Sequence, residues 1–309
     1  MLVDNFVQPF QLESSSIRGR IVRLGSVLDD ILGAHDYPLP ISHLVAETIT
    51  LTLALSSMLK YEGIFTLQAQ GDGPIRMLVA DATSAGVVRG CASYDTERFQ
   101  KSREQLSALK TTESSQNHLA QYLGQGHLAF TVDQGANTDR YQGIVDIKGS
   151  SMVDCVQHYF TQSEQIGTGI KMAVGKRGDH WRAEAIMLQN MPEDGQNPES
   201  GTGNLNEDDW RRAMVLLDSC TEDEFLSPDL GANELLFRLF HEEGVRVYDR
   251  QEIRKGCRCE EERVKNILKS MSEQDIQDMS VDKEIHMTCE FCSKTYSFKE
   301  ADILRMIKA

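Results

Sequence analysis

The sequence is short of long apolar runs. In 309 residues there is no uninterrupted hydrophobic stretch of about eighteen, the length that a membrane span requires. The nearest approach, Ile41 to Leu59, is broken by His43, Glu47 and several Thr and Ser, and reads as a buried amphipathic helix. Basic charge is also scarce. Lys and Arg number 32 against 47 Asp and Glu, a net charge of -15. That balance disfavours a phosphate backbone as partner and favours solubility and repulsion between copies. No signal-peptide pattern opens the chain, so the cytosol, where thiols stay reduced, is the expected compartment. Gly71-Asp72-Gly73 lacks the Lys-Ser/Thr that a phosphate loop needs and reads as a turn. No nucleophile–base constellation stands out, and the chain is not expected to be an enzyme. What remains, 40% hydrophobic and 26% charged, is ordinary for a globular protein. The length implies two or three domains.

Seven cysteines are present, and four of them are grouped. Cys91, Cys155 and Cys220 stand singly and read as small buried hydrophobes. Cys257-Arg258-Cys259 is followed, after 29 residues, by Cys289-Glu290-Phe291-Cys292. Two close pairs with a spacer long enough to fold back suit one tetrahedral Zn²⁺, held by four thiolates at about 2.3 Å. The Cys-X-Cys pair brings two sulfurs unusually close, and a disulfide there would be strained and easily reduced. The spacing alone fits a purely structural zinc knuckle or a redox switch built on one. His286, three residues before Cys289, is a weaker candidate ligand, because four thiolates already complete a tetrahedron.

Along the chain, strand character is read at Gly19–Leu24, Ile64–Gln70, Ile75–Ala80, Gly86–Cys91, His127–Val132, Gln142–Ile147, Ile170–Val174 and Trp181–Gln189. Helices are expected from Leu28 to Ala34, from Ile41 to Lys60 and from Met152 to Gln162. Met191 to Asn206 is polar and rich in breakers, and reads as a flexible linker. Helical spacing resumes from Asp208 to Cys220. Thr221 with Glu224 forms a capping-box pattern. Ala232–Glu243 is a further helix whose face is Leu235, Leu236, Leu239 and Phe240, and Val245–Tyr248 is a short strand. In the tail, helices are expected over Glu261–Ser270 and from Ser272, a hairpin over Ile285–Tyr296, and a Ser297/Glu300 capping box on the last helix. The tail has few aliphatics, and a domain this small usually needs a metal or disulfides. The predicted class is α+β: an N-terminal mixed α/β-sheet domain (1–189), a polar linker (190–206), a helical linker region (207–255) and a small C-terminal zinc-binding module (256–309).

The chain resembles the redox-regulated bacterial heat-shock chaperones of 33 kilodaltons. The resemblance runs through His35-Asp36-Tyr37-Pro38, Leu67-Gln68-Ala69-Gln70-Gly71-Asp72-Gly73-Pro74, Arg140-Tyr141-Gln142-Gly143, Ser163-Glu164-Gln165 and His241-Glu242-Glu243-Gly244-Val245-Arg246-Val247-Tyr248-Asp249, and ends on the cysteine pairs. It implies an ATP-independent holdase, inactive when reduced and zinc-bound. It implies that oxidation closes Cys257–Cys259 and Cys289–Cys292, releases Zn²⁺ and unfolds the module together with a metastable linker region. Unfolding client proteins would then be held, by a homodimer when oxidised. The competing reading, a zinc-module nucleic-acid regulator, meets a tail with nine Lys/Arg against eleven Asp/Glu from Cys257 to Ala309, before four thiolates on Zn²⁺ add more negative charge.

Overall fold

Period-two alternation of apolar residues builds two six-stranded sheets. The computed structural model describes residues 4–108, 119–135, 138, 140–147, 151–164, 166–191 and 203–308. Its backbone divides into two units, Met1–Lys255 and Gly256–Ala309.

In the larger unit the chain begins with β1 (Phe6–Leu12) and β2 (Ile17–Leu24), then α1 (Ser26–Leu32) and α2 (Leu39–Ser56). A meander follows: β3 (Ile64–Gly71), β4 (Ile75–Thr83) and β5 (Val87–Tyr94). Helices α3 (Thr96–Ala108) and α4 (Leu119–Leu123) lead to β6 (Gly126–Asp133) and β7 (Tyr141–Asp146). Helix α5 (Met152–Tyr159) runs into a π-turn at Phe160–Glu164, before β8 (Thr168–Arg177) and β9 (His180–Asn190). Then come α6 (Gly203–Asp218), α7 (Glu222–Phe225), α8 (Ala232–Phe240) and three short strands, β10 (Val245–Val247), β11 (Gln251–Glu252) and β12 (Arg254–Lys255). One sheet is ordered β10-β1-β2-β9-β8, with β11 also on β1; the other is β12-β5-β4-β3-β6-β7. Pairing is antiparallel except for β12 on β5.

Helix α2 packs on strands of both sheets. Fourteen of its eighteen residues are buried, on every face. The expected amphipathic helix is therefore a core helix, apolar all round because it is covered all round. It is also long and apolar enough to cross a membrane by composition, which its burial accounts for. Thr48, Thr50 and Thr52 donate their hydroxyls back to Leu44, Ala46 and Thr48 carbonyls at 2.6–2.8 Å, which satisfies them without water.

The motifs outside the cysteines have structural roles. Tyr37 uses its hydroxyl both to donate to the Ala92 carbonyl and to accept from the Ala92 amide. A Cβ on Gly71 or Gly73 would overlap the Leu123 or Tyr122 carbonyl, so the turn after β3 admits only glycine there. Tyr141 and Tyr159 both donate to Glu164 Oε1 at 2.8 Å, tying the Arg140–Gly143 motif to Glu164. The helix expected over Met152–Gln162 thus changes character at Phe160.

Strand β1 is absent from the sequence reading because Pro9 lies in its middle, and proline cannot donate to a ladder. Its outer neighbour is interrupted there, between Val247 and Gln251, and the Pro9 carbonyl still accepts from Tyr248 N at 2.9 Å. Most of the polar insert, residues 192–202, lies outside the described residues; Gly203–Asn206 open α6. Leu217, Phe225, Leu235, Leu236, Leu239 and Phe240 from α6–α8 bury themselves against Phe6, Phe10, Ile21 and Leu188 of the first sheet. Thr221 and Glu224 form the expected capping box.

The smaller unit holds α9 (Glu261–Lys269), α10 (Glu273–Met279), the hairpin β13 (Glu284–Thr288) with β14 (Thr295–Lys299), and α11 (Glu300–Lys308). Its core is Leu268, Ile276, Ile285, Tyr296, Phe298 and Ile303. The Ser297/Glu300 capping box does not form. Ser297 sits within β14 opposite His286 and hydrogen-bonds its Nδ1, because the hairpin register claims that residue first.

Candidate metal centre

Cys257 and Cys259 lie in the extended segment that leads into α9. Cys289 follows β13, and Cys292 ends the tight turn that returns the chain to β14. That turn is closed by Cys289 N donating to Lys294 O at 3.0 Å and Ser293 N donating to Cys289 O at 2.8 Å. Ser293 takes the left-handed conformation, φ 56°, which aims both sulfurs to one side.

The four Sγ atoms all lie within 4.8 Å of one another. Cys257 Sγ is 3.7 Å from Cys289 Sγ, and Cys259 Sγ is 3.4 Å from Cys292 Sγ. Sulfurs at the corners of a tetrahedron of radius about 2.3 Å are separated by about 3.8 Å. The spacing therefore fits one four-coordinate ion, and all seven cysteines are unbridged thiols. Four soft thiolates select zinc over harder cations. They leave no open coordination position of the kind a catalytic zinc keeps.

Burial opposes ionisation at Cys257. Hydrogen bonds from the Cys259 backbone and from the sulfurs of Cys259, Cys292 and Cys289 overcome it and bring the thiol down to about 6. Burial pushes Cys289 up. Burial and the facing sulfurs push Cys292 up to about 12. One negative charge settles easily in this cluster and further ones are resisted, which is the electrostatic demand that a divalent cation meets.

Tyr296 was not picked out by sequence. Its hydroxyl donates to the Cys259 carbonyl at 2.9 Å and lies 3.5 Å from Cys259 Sγ, orienting that thiol from behind. Its place in β14, four residues past Cys292, was the only available signal. His286 is exposed on β13, bonded to Ser297, and is not among the clustered ligands. Cys91, Cys155 and Cys220 are buried apart from the cluster, and burial raises the Cys220 thiol to about 11.

Fold and site together define a class: two-part helix-and-sheet proteins with a C-terminal module centred on four clustered cysteines whose spacing fits a metal ion. The Hsp33 protein family model matches residues 5–299. A 33 kDa chaperonin of Caulobacter vibrioides is 37% identical over 302 residues, covering 96% of this chain and 95% of that one. A 33 kDa chaperonin of Pseudomonas fluorescens is 34% identical over 305 residues, covering 98% and 93%. The crystal structure of a 33 kDa chaperonin from Thermotoga maritima has the same fold, with a TM-score of 0.80 at 21% identity over 99% of this chain and 98% of that one. The chain belongs to the Hsp33 family, and family and relatives make it a chaperone.

Proposed function

We propose that the protein is a redox-regulated, ATP-independent holdase of the cytoplasm, without enzymatic activity, which holds unfolding proteins under oxidative stress. The observation that carries this reading is the convergence of Cys257, Cys259, Cys289 and Cys292 from two segments about thirty residues apart. Residues 1–189 are the chaperone body, 190–206 the segment that joins it to the rest, 207–255 a metastable helical region and 256–309 the switch. Zn²⁺, when bound, holds the four sulfurs as thiolates and cross-links their segments.

Closing Cys257–Cys259 and Cys289–Cys292 removes two electrons from each pair of thiolates. For each pair one molecule of an oxidant such as peroxide takes them and, with two protons from solvent, is reduced to water. With both pairs closed, all four metal donors are lost. The long cross-link between the segments is replaced by rings of three and four residues. Closing a loop of about thirty residues is worth about 3.6 kcal/mol in the chain-entropy model, and the oxidised module forfeits it. With six buried core residues the module then lacks the means to stay folded. Unfolding spreads to 207–255 and exposes apolar surface to clients, and the oxidised protein is a homodimer. Acidic balance in the tail argues against a nucleic-acid partner.

The test measures zinc content, free thiols and suppression of client aggregation on the same sample before and after peroxide or hypochlorous acid. Release of about one zinc per chain with loss of four thiols and onset of holding is expected. Onset of holding with zinc still bound refutes the mechanism.

A further inference from the structure

Residues 245–255 form a strap that ends one residue, Gly256, before the first ligand cysteine. The strap is an extended segment seated on the edges of both sheets. Val245, Arg246 and Val247 oppose Leu12, Gln11 and Phe10 of β1. Gln251 and Glu252 oppose Val7 and Phe6. Arg254 and Lys255 then run parallel to Val87 and Val88 of β5. Three of its amides donate into the body: Tyr248 N to Pro9 O at 2.9 Å, Ile253 N to Asn5 O at 2.8 Å and Arg254 N to Gly86 O at 3.0 Å. Its side chains are mostly exposed but add hydrogen bonds at their polar ends, from Tyr248 to Gln11, Arg250 to Gln8, Gln251 to the Ser84 carbonyl and Lys255 to the Asp30 carbonyl. Between Val245 and Lys255 only Ile253 is buried, and Val245 is half-buried on the cluster formed by α6–α8.

Backbone pairing is indifferent to most side chains, and a free sheet edge accepts extended polypeptide by adding it as a strand. Such an edge suits a holdase, whose clients share little beyond unpaired backbone and scattered apolar residues. We infer that the outer edges of β1 and β5 are docking surfaces for extended client segments, and that the strap is an intramolecular stand-in for such a segment. Val245 packs half-buried on the body while Arg246, Val247 and Tyr248 are exposed, so this stretch is seated chiefly by its main chain. This inference rests on the proposed holdase reading and adds the recognition mode: pairing with client main chain, beyond apolar adhesion.

The experiment uses the full-length oxidised protein, a thermally unfolding client and two synthetic peptides. One peptide carries residues 244–255. The other has the same sequence with N-methyl groups on the Tyr248, Ile253 and Arg254 amides, which keeps every side chain and removes three donors. The unmodified peptide is expected to compete with client. The methylated one should need at least about tenfold higher concentration, from the loss of hydrogen bonds of about 0.5–1.5 kcal/mol each. In the client complex, hydrogen exchange at Gln11, Glu13 and Val88 should slow again after rising on oxidation. Equal competition by both peptides overturns the inference in favour of apolar adhesion. Client holding that ignores both peptides overturns it as well, while leaving the holdase reading intact. An oxidised protein that holds no client defeats both.

Discussion

Arg23 and Glu184 form an ion pair with both side chains 1% exposed, roofed by the loop between α7 and α8. Arg23 Nε donates to Glu184 Oε2 at 2.6 Å, and Nη1 donates to the Leu230 carbonyl at 2.7 Å. Glu184 Oε1 is buried without a hydrogen-bond partner. Two charges are thus kept from water only while residues 221–231 stay docked. A buried pair recovers its desolvation cost only when its remaining polar atoms are satisfied. This one is incompletely satisfied, and water reaches it when the region undocks.

Replacing Arg23 alone with Met leaves Glu184 buried and uncompensated. A loss of about 3–5 kcal/mol is expected. Replacing both, Arg23→Met with Glu184→Met, should be neutral or stabilise by about 1–4 kcal/mol. Urea unfolding followed by hydrogen exchange across α7 and α8 checks both. A double variant as unstable as the single one would show that the charges support docking.

Glu243 anchors the other end of the same region. It accepts from Arg212 Nε and Nη2 and from Ser14 Oγ, the last at 2.6 Å. These hydrogen bonds, that from Arg212 foremost, hold its carboxyl below the usual range. Arg212 is 49% exposed, so solvent weakens the pair. Glu243→Ala should cost about 1–2 kcal/mol and lower the oxidant concentration at which holding begins. In the parent protein this contribution is present above pH about 4.5 and fades as pH falls through the depressed value. Equal oxidant midpoints for parent and variant would remove Glu243 from the control of docking.

Glu47, on the core helix α2, behaves in the opposite sense. Burial raises its carboxyl from 4.5 to about 8. The folded state therefore binds the proton more tightly than the unfolded chain does. The resulting stability is full below pH about 4.5 and is lost as pH rises through 8. Its side chain keeps 12% exposure, so the loss should be about 2 kcal/mol, below the full value for the shift. Glu47→Gln should flatten this slope in pH-dependent denaturation. An unchanged slope would place the titration elsewhere. His43 beside it, lowered by burial, contributes with the other sign and is common to both proteins.

Two substitutions separate ligand from support at the cysteine cluster. Cys289→Ser should abolish tight zinc binding and leave residues 256–309 unprotected in hydrogen exchange. Tyr296→Phe keeps all four sulfurs and removes the hydroxyl behind Cys259. It should weaken zinc about 10–100-fold in chelator competition, with the module still folded at saturating metal. Full amide protection in metal-free Cys289→Ser would deny the metal its structural role.

The cysteine cluster was legible because thiol spacing is a local property of sequence. Most strands and α1, α2 and α5–α11 were legible for the same reason, since period and caps are written within a few residues. Strand β1 was hidden by Pro9, whose tolerance depends on a gap between two strands more than 230 residues later. Strands β11 and β12 are two residues each, too short to carry a period. Arg23 and Glu184 gave no sign of meeting, being 161 residues apart in strands that read as ordinary. Tyr296 looked like one more hairpin aromatic until β14 placed its hydroxyl on Cys259.

The covering of α2 has a consequence during synthesis. The helix is complete at Ser56, yet β8 and β9, which close one side of it, span Thr168 to Asn190. At about 5–20 residues per second, a ribosome leaves that greasy cylinder half-clothed for roughly 7–27 seconds. A molecule built to shelter other proteins in distress begins its own life in need of the same service.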